Sequence, residues 1–367
     1  MTYLLVFSLT SALAGFIFLF RVRPQLVVIL ISLILASFAA LRGSDVASDF
    51  VVYQDWYSNS DLGNGLLERP GFFEALYFLL NDFFSVINIP FRVFVWLLAF
   101  IAVFIKTKVI ISFAKNGWAV GFGMLIYLFT FYLLHDFTQI RAGLAIAFIF
   151  LAVRALVDGD RTHFVLLVVL AAGFHSSAVM AFLLLLPHRS SRARWVDWGL
   201  FAISIVVFAQ ATRGVFVGAA LVDVLAKFDP RLALYISSAD SGQSEAANPF
   251  SISALLLLAL AFSLIGVEFN QWQISKLNKR DVYAIVLARR SILIGLSFLA
   301  SLSPIPELAL RLLEINIALL PILAAIVFSR QGWMLQKSLI FFWGSALAFI
   351  YIASDKGLVQ PYVLFFS

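Results

Sequence analysis

Runs of about twenty apolar residues recur along this chain, and that is the length a helix needs to cross the hydrocarbon core of a bilayer. They lie near residues 3–20, 24–41, 91–112, 117–134, 137–157, 195–212, 250–270, 282–302, 307–328 and 335–353. The stretch 163–187 is also apolar but is interrupted at Gly173–Phe174–His175. The gaps between runs are too short for a separate soluble domain, and no period of 20–50 residues marks a repeat array. The expectation is an all-α, polytopic membrane protein with about 10–12 transmembrane helices. It includes a broken or re-entrant helix pair near residue 175 and forms a single integral membrane domain over residues 1–367.

Composition agrees. Of the 367 residues, 62% are hydrophobic and 13% are charged, about half the charged share of an ordinary globular domain. So few polar residues cannot cover a water-facing surface, which excludes a soluble enzyme and a disordered chain. The formal charge is +6, but Lys and Arg sit mainly in the gaps, where they report membrane direction and not nucleic-acid binding. Cysteine is absent, which removes disulfides, thiolate nucleophiles and Cys-ligated metals. Four His leave little for a metal site, so neither metal nor cofactor is expected. The first run lacks a basic leader and is followed by Arg21 and Arg23, so it reads as a span and not as a cleaved signal.

With the N-terminus outside, seventeen of the 26 Lys and Arg fall on the inner side, which favours that direction. They include Lys106, Lys108, Lys115, Arg289 and Arg290. This direction requires 72–89 (FFEALYFLLNDFFSVINI) to lie as an amphipathic helix at the outer interface, because Glu74, Asn81 and Asp82 interrupt it. It also requires 163–187 to form a helix–break–helix hairpin, which puts His175 at a buried or wet cavity. Residues 42–90, with that interfacial helix, and the loop 213–249 then face outward. Chemistry is expected on that side.

Ionisable groups inside a span are costly and are functional candidates by default. Arg141 lies about one turn into its span, with Gln139 just ahead of it. Arg311 lies at a similar depth, and Glu307, Arg311 and Glu314 share one helical face. Two readings stand for Arg311. Its two carboxylates hold it as an internal ion pair, or it converges with Arg141 on an anion. A guanidinium keeps its charge and grips phosphate oxygens in a bidentate fork, which suits a diphosphate. His175, in an otherwise apolar run, is either a hydrogen-bonded structural residue or a group that takes a hydroxyl proton or binds phosphate. His135 and Asp136 read as polar residues tolerated at an interfacial helix end. If 45–57 is helical, Asp45, Asp49, Tyr53 and Tyr57 follow at steps of four along one face, and with Arg42 and Glu68 they suit a sugar. Carboxylates accept hydroxyl hydrogen bonds and rings stack on apolar sugar faces. A solvated loop with ordinary charges is the alternative. There is no P-loop, GxGxxG, HExxH or GxSxG motif.

Several segments resemble the EpsG-type branch of the Wzy polysaccharide polymerases. They are RGSDVASDFVVYQDWY followed by ERPGFFEAL, then QIRAGLAIAFIFLAVRAL, LAAGFHSSAVM and PELALRLLE. The likeness covers most of residues 40–190 and, more weakly, 305–320. Arg69 separates Glu68 from Pro70, where the family tends to have Glu-Pro directly. The resemblance implies an architecture related to lipid-linked C-type glycosyltransferases. It implies polymerisation of oligosaccharide repeat units carried on undecaprenyl diphosphate at the outer face of the bacterial cytoplasmic membrane, by inversion and without metal or nucleotide. A separate chain-length regulator is the protein partner it implies, beside membrane lipid. On this reading His175, Arg141, Arg311 and Asp49 are catalytic. Arg42, Asp45, Tyr53, Tyr57, Glu68, Gln139, Glu307 and Glu314 are substrate-binding. An O-antigen ligase-like transferase and a lipid-linked oligosaccharide flippase share many of these features and stay open.

Overall fold

The computed structural model describes residues 2–19, 23–47, 49–60, 74–186, 193–226, 230–240, 245–269 and 277–353, and among them no strand occurs. Six helices are long and apolar enough to cross a membrane by length and composition. They are Phe91–Phe113, Gly117–Thr138, Ile140–Asp158, Lys279–Ser301, Pro306–Phe328 and Met334–Ile352, with seven shorter apolar helices beside them. The protein is therefore an all-helical, polytopic membrane protein.

Its contacts divide it into two compact units, Met1–Val179 with Leu320–Ser367, and Met180–Leu319. In the first, α1 (Thr2–Leu19) packs on α6 (Gly117–Ile126), α2 (Pro24–Ala40) on α5 (Phe91–Phe113), and α7 (Ile140–Asp158) on α8 (Arg161–Phe174). Local sequence sets the joints. Pro24 opens α2 at a position that needs no N–H. Asn116 caps α6 by accepting from the Ala119 N–H. Gly159, at φ 100°, ends α7 in the left-handed conformation that a side chain resists, and Asp160 caps α8 at once. Aromatic rings of Tyr3, Phe7, Phe38, Tyr132 and Phe137 interlock at the centre of the first unit.

The span after α6 is not regular. Tyr127–Thr138 is a twelve-residue π-helix: the Gln139 N–H and the Thr138 hydroxyl donate to carbonyls five residues back, on Leu134 and Leu133. Such stretches are rare and are mostly single turns. Here the wide turn carries His135 and Asp136 inward, where both are buried. This overturns their reading as residues tolerated at an interfacial end. Asp136 accepts from Lys106 Nζ at 2.6 and 2.7 Å and from the Tyr127 hydroxyl at 2.7 Å.

Lys106 is thus no loop cation. Neither are Arg289 and Arg290, which are buried and share the carboxylate of Asp197. These three leave the positive-inside count, because buried cations are held by carboxylates and report pairing, not sidedness.

The segment after residue 72 contains α4 (Ala75–Val86), twelve residues long and too short to span. Its polar side, Asn81 and Asp82, is buried, while Leu79, Phe83 and Val86 are exposed. One apolar stripe thus faces away from the protein, while Tyr77 and Phe78 are buried beside the polar pair. The break near residue 175 exists. His175 is extended (φ −152°, ψ 119°) and is followed by the 3-10 helix Ser176–Leu185. The helix expected over 45–57 is shorter. α3 is Asp49–Ser58, and Asp45 sits exposed in the turn before it.

In the second unit, α9 (Ala193–Ala211), α12 (Ile252–Phe269) and α14 (Pro306–Ile317) pack around α13 (Lys279–Ser301). The region expected as the loop 213–249 carries two short helices, α10 (Val217–Leu225) and α11 (Pro230–Asp240). The run 307–328 is interrupted after α14, and the chain returns to the first unit as α15 (Leu320–Phe328) and α16 (Met334–Ala353).

Candidate active site

Three polar side chains from distant parts of the first unit meet at the ends of apolar helices. Arg141 stands in the first turn of α7 and donates from one terminal nitrogen to Glu74 Oε2. Glu74 is the residue that leads into α4. Its other oxygen, Oε1, lies 3.0 Å from His175 Nδ1. The Ser176 backbone N–H and hydroxyl approach the same oxygen at 3.4 and 3.5 Å. The break at His175 makes this possible: it stops α8 and aims the Ser176 N–H at the carboxylate in place of a helical carbonyl.

Aromatic rings frame the arginine. Its guanidinium carbon is 4.7 Å from the ring centre of Trp56, 5.5 Å from Tyr53 and 5.6 Å from Tyr77. These contacts hold the cation in place while lowering its hydration. α3 is fixed onto α4 by the Tyr57 hydroxyl donating to the Ile89 carbonyl at 2.6 Å, by Ser85 Oγ to the Tyr57 carbonyl, and by Asn81 Nδ2 to the Trp56 carbonyl. A close approach of α8 to α4 completes the frame. A Cβ on Gly173 would lie 2.4 Å from Leu76 Cδ1.

The electrostatics follow. Burial opposes ionisation of Glu74, but the His175 hydrogen bond, the Arg141 charge and the Ser176 N–H outweigh it and hold the carboxyl at about 2, against an ordinary 4.5. An ionised carboxylate only accepts, so His175 donates from Nδ1, and in the neutral ring that tautomer puts the lone pair on Nε2. Burial raises the Tyr53 and Tyr77 phenols, more than the nearby Arg141 charge lowers them. Side-chain exposures of 18% for Arg141, 12% for His175 and 9% for Glu74 leave the trio reachable yet mostly out of water. Arg141 Nε has no hydrogen-bond partner among the described residues. The trio therefore offers a base, a carboxylate that sets the base's tautomer, and a cation with donors to spare. Among the described residues, no group of three or more His, Asp or Glu is placed to hold a metal.

The other expected residues distribute as follows. Tyr53 joins the cluster, and Asp49 stands one turn before it, within electrostatic reach. Tyr57 is spent on holding α3, as above. Arg42 is fully buried, donates to the Ala39 carbonyl and lies between the Phe50 and Phe137 rings at 4.6 and 4.7 Å. Asp45 lies off the helix that carries Asp49. Gln139 forms the joint between the π-helix and α7. Glu68 lies outside the described residues. In the second unit, Arg311 donates to the Tyr235 hydroxyl and sits 5.2 Å from its ring. Among the described residues it makes no direct salt bridge with Glu307, which is exposed, or with Glu314, although its charge acts on the Glu314 carboxyl. The sequence reading placed Glu68 in the site and left Glu74 on an interfacial helix. The available signal was a lone carboxylate at the head of an apolar helix, in FFEALYFLL.

A family model described as EpsG family matches residues 25–364. No curated protein and no solved structure matches the chain.

Proposed function

The chain belongs to the EpsG family, which ties it to polysaccharide biosynthesis, and from that premise we propose that it joins undecaprenyl-diphosphate-linked oligosaccharide repeat units into polymer. The reaction takes place at the outer face of the bacterial cytoplasmic membrane. The observation that carries the reading is the Glu74–His175–Arg141 trio, a fixed base beside a fixed cation. His175 Nε2 takes the proton of the acceptor hydroxyl while its Nδ1–H stays on Glu74. The hydroxyl oxygen attacks the anomeric carbon of the donor sugar. The bond from that carbon to the diphosphate oxygen breaks, and the electron pair leaves with undecaprenyl diphosphate. A single displacement inverts the anomeric centre. Charge grows on the leaving diphosphate, so a preorganised guanidinium favours the transition state over the bound substrate. Arg141 has that role; Arg311, held by Tyr235 within the second unit, is a separate candidate whose contribution the variants test. Asp49 is the alternative base, and Tyr53 with Trp56 offers ring faces to the sugar. No step calls for a metal.

The test is a gel of surface polysaccharide from a deletion strain carrying wild type, Glu74→Gln, Arg141→Ala, His175→Ala or Arg311→Ala. A single capped repeat unit in the deletion strain, a full ladder with wild type and loss of the ladder in the variants are the expected results. Long polymer stranded on its lipid carrier would make the protein a ligase. Repeat units trapped on the inner face would make it a flippase.

A further inference from the structure

Away from the trio, α1 and α6 enclose a groove of about 630 Å³. Its walls are almost wholly apolar, built from Ser11, Gly15 and Phe16 of α1 and Gly121, Phe122 and Leu125 of α6. At one end stand Lys115, Asn116 and Trp118. A second cavity of about 360 Å³ shares Asn116 and Trp118 and adds Arg330 and Lys337. No Asp or Glu lines either cavity.

Two details point to an occupant. Thr10 satisfies its hydroxyl on the Val6 carbonyl, one helical turn back at 2.6 Å. Its neighbour Ser11 lines the groove, is 5% exposed, and has a hydroxyl with no hydrogen-bond partner among the described residues. A buried orphan hydroxyl is costly, and a ligand carbonyl would satisfy it. At the mouth, Lys337 Nζ donates to the Arg330 carbonyl at 2.6 Å, which uses one of its three donors. Trp118, 76% exposed, marks the depth at which indole rings sit between lipid and water.

We propose that this groove binds an anionic phospholipid. One acyl chain lies along α1 and α6, an ester carbonyl meets Ser11, and the phosphate faces Lys337, Lys115 and Arg330. The gaps carrying these cations belong to the inner side by the charge pattern, where anionic lipid is concentrated and basic pockets between helices hold its head groups.

Native mass spectrometry of the purified full chain, titrated with phosphatidylglycerol, phosphatidylcholine or a polyprenyl phosphate, tests this. Phosphatidylglycerol adducts should exceed phosphatidylcholine adducts by about fivefold or more, the worth of roughly one cation near a phosphate. Lys337→Gln should erase most of that preference. Gly121→Leu fills the groove without a clash at Cβ, which would stand 3.6 Å from the Ser11 carbonyl oxygen. It should reduce binding of both phospholipids, with helicity and melting temperature unchanged. Should Gly121→Leu not be recovered folded, Ala12→Leu, on the exposed lip of α1, makes the same test. Equal binding of the two phospholipids, unchanged binding in these variants, or preferred binding of the polyprenyl phosphate would overturn the proposal.

Discussion

Glu74 holds both His175 and Arg141 with a single carboxylate, so its charge is worth more than its volume. Glu74→Gln keeps the shape but lets the amide donate, and either His175 tautomer then fits. Polymerisation should fall by about 10²-fold or more, in the range of a lost base, while the protein stays in the membrane. Radiolabelled repeat-unit turnover in membranes would measure it. Arg141→Ala should cost about 10²–10³-fold, whereas Arg141→Lys retains charge without the fork and should recover part of that. Stability carries a pH signature. The Glu74 carboxyl sits at about 2 when folded, below its ordinary 4.5, so its stabilisation is complete above about pH 4.5 and drains away as pH falls toward 2. Thermal unfolding in detergent should therefore show Glu74→Gln below wild type above about pH 4.5. That gap should close on further acidification.

The elements place these groups through close packing. Gly173 lets α8 approach α4, so Gly173→Val should push Leu76 aside and draw Glu74 away from His175. Activity should drop with little loss of helical content, read by circular dichroism alongside turnover. The π-helix makes a separate prediction. Lys106→Met alone strands the Asp136 charge in an apolar interior and should cost about 3–5 kcal/mol. Lys106→Met with Asp136→Leu should recover much of the loss in melting temperature. Apolar length made the spans legible in the sequence. Isolation in apolar runs made Arg141 and His175 legible, and Gly173 with its neighbours flagged the break. Glu74 was hidden because a carboxylate on a short amphipathic helix reads as its wet face, and its partners are 67 and 101 residues away. Lys106, Arg289 and Arg290 were misread because their carboxylates lie on other helices. Nothing in YLFTFYLLHDFT distinguishes a π-helix from an α-helix, since the same residues serve both.

For the whole molecule, sidedness is the property on which the functional reading depends, and the absence of cysteine makes it directly testable. Single-cysteine variants at Asn59 and Asp158, both exposed, should label oppositely in intact cells. A membrane-impermeant maleimide should reach position 59 from outside and position 158 only after lysis. The buried ion pairs also bear on how such a chain is made. Asp197 is held by Arg289 and Arg290, which follow it by 92 and 93 residues. At about 5–20 residues per second of synthesis, roughly 5–20 s pass between the carboxylate leaving the ribosome and its counter-ions. During that interval the helix around Asp197 carries a lone acid that hydrocarbon does not welcome. Until α13 is made, that carboxylate lacks both of the cations that hold it in the finished fold, so the pairing of α9 with α13 can be completed only late in synthesis.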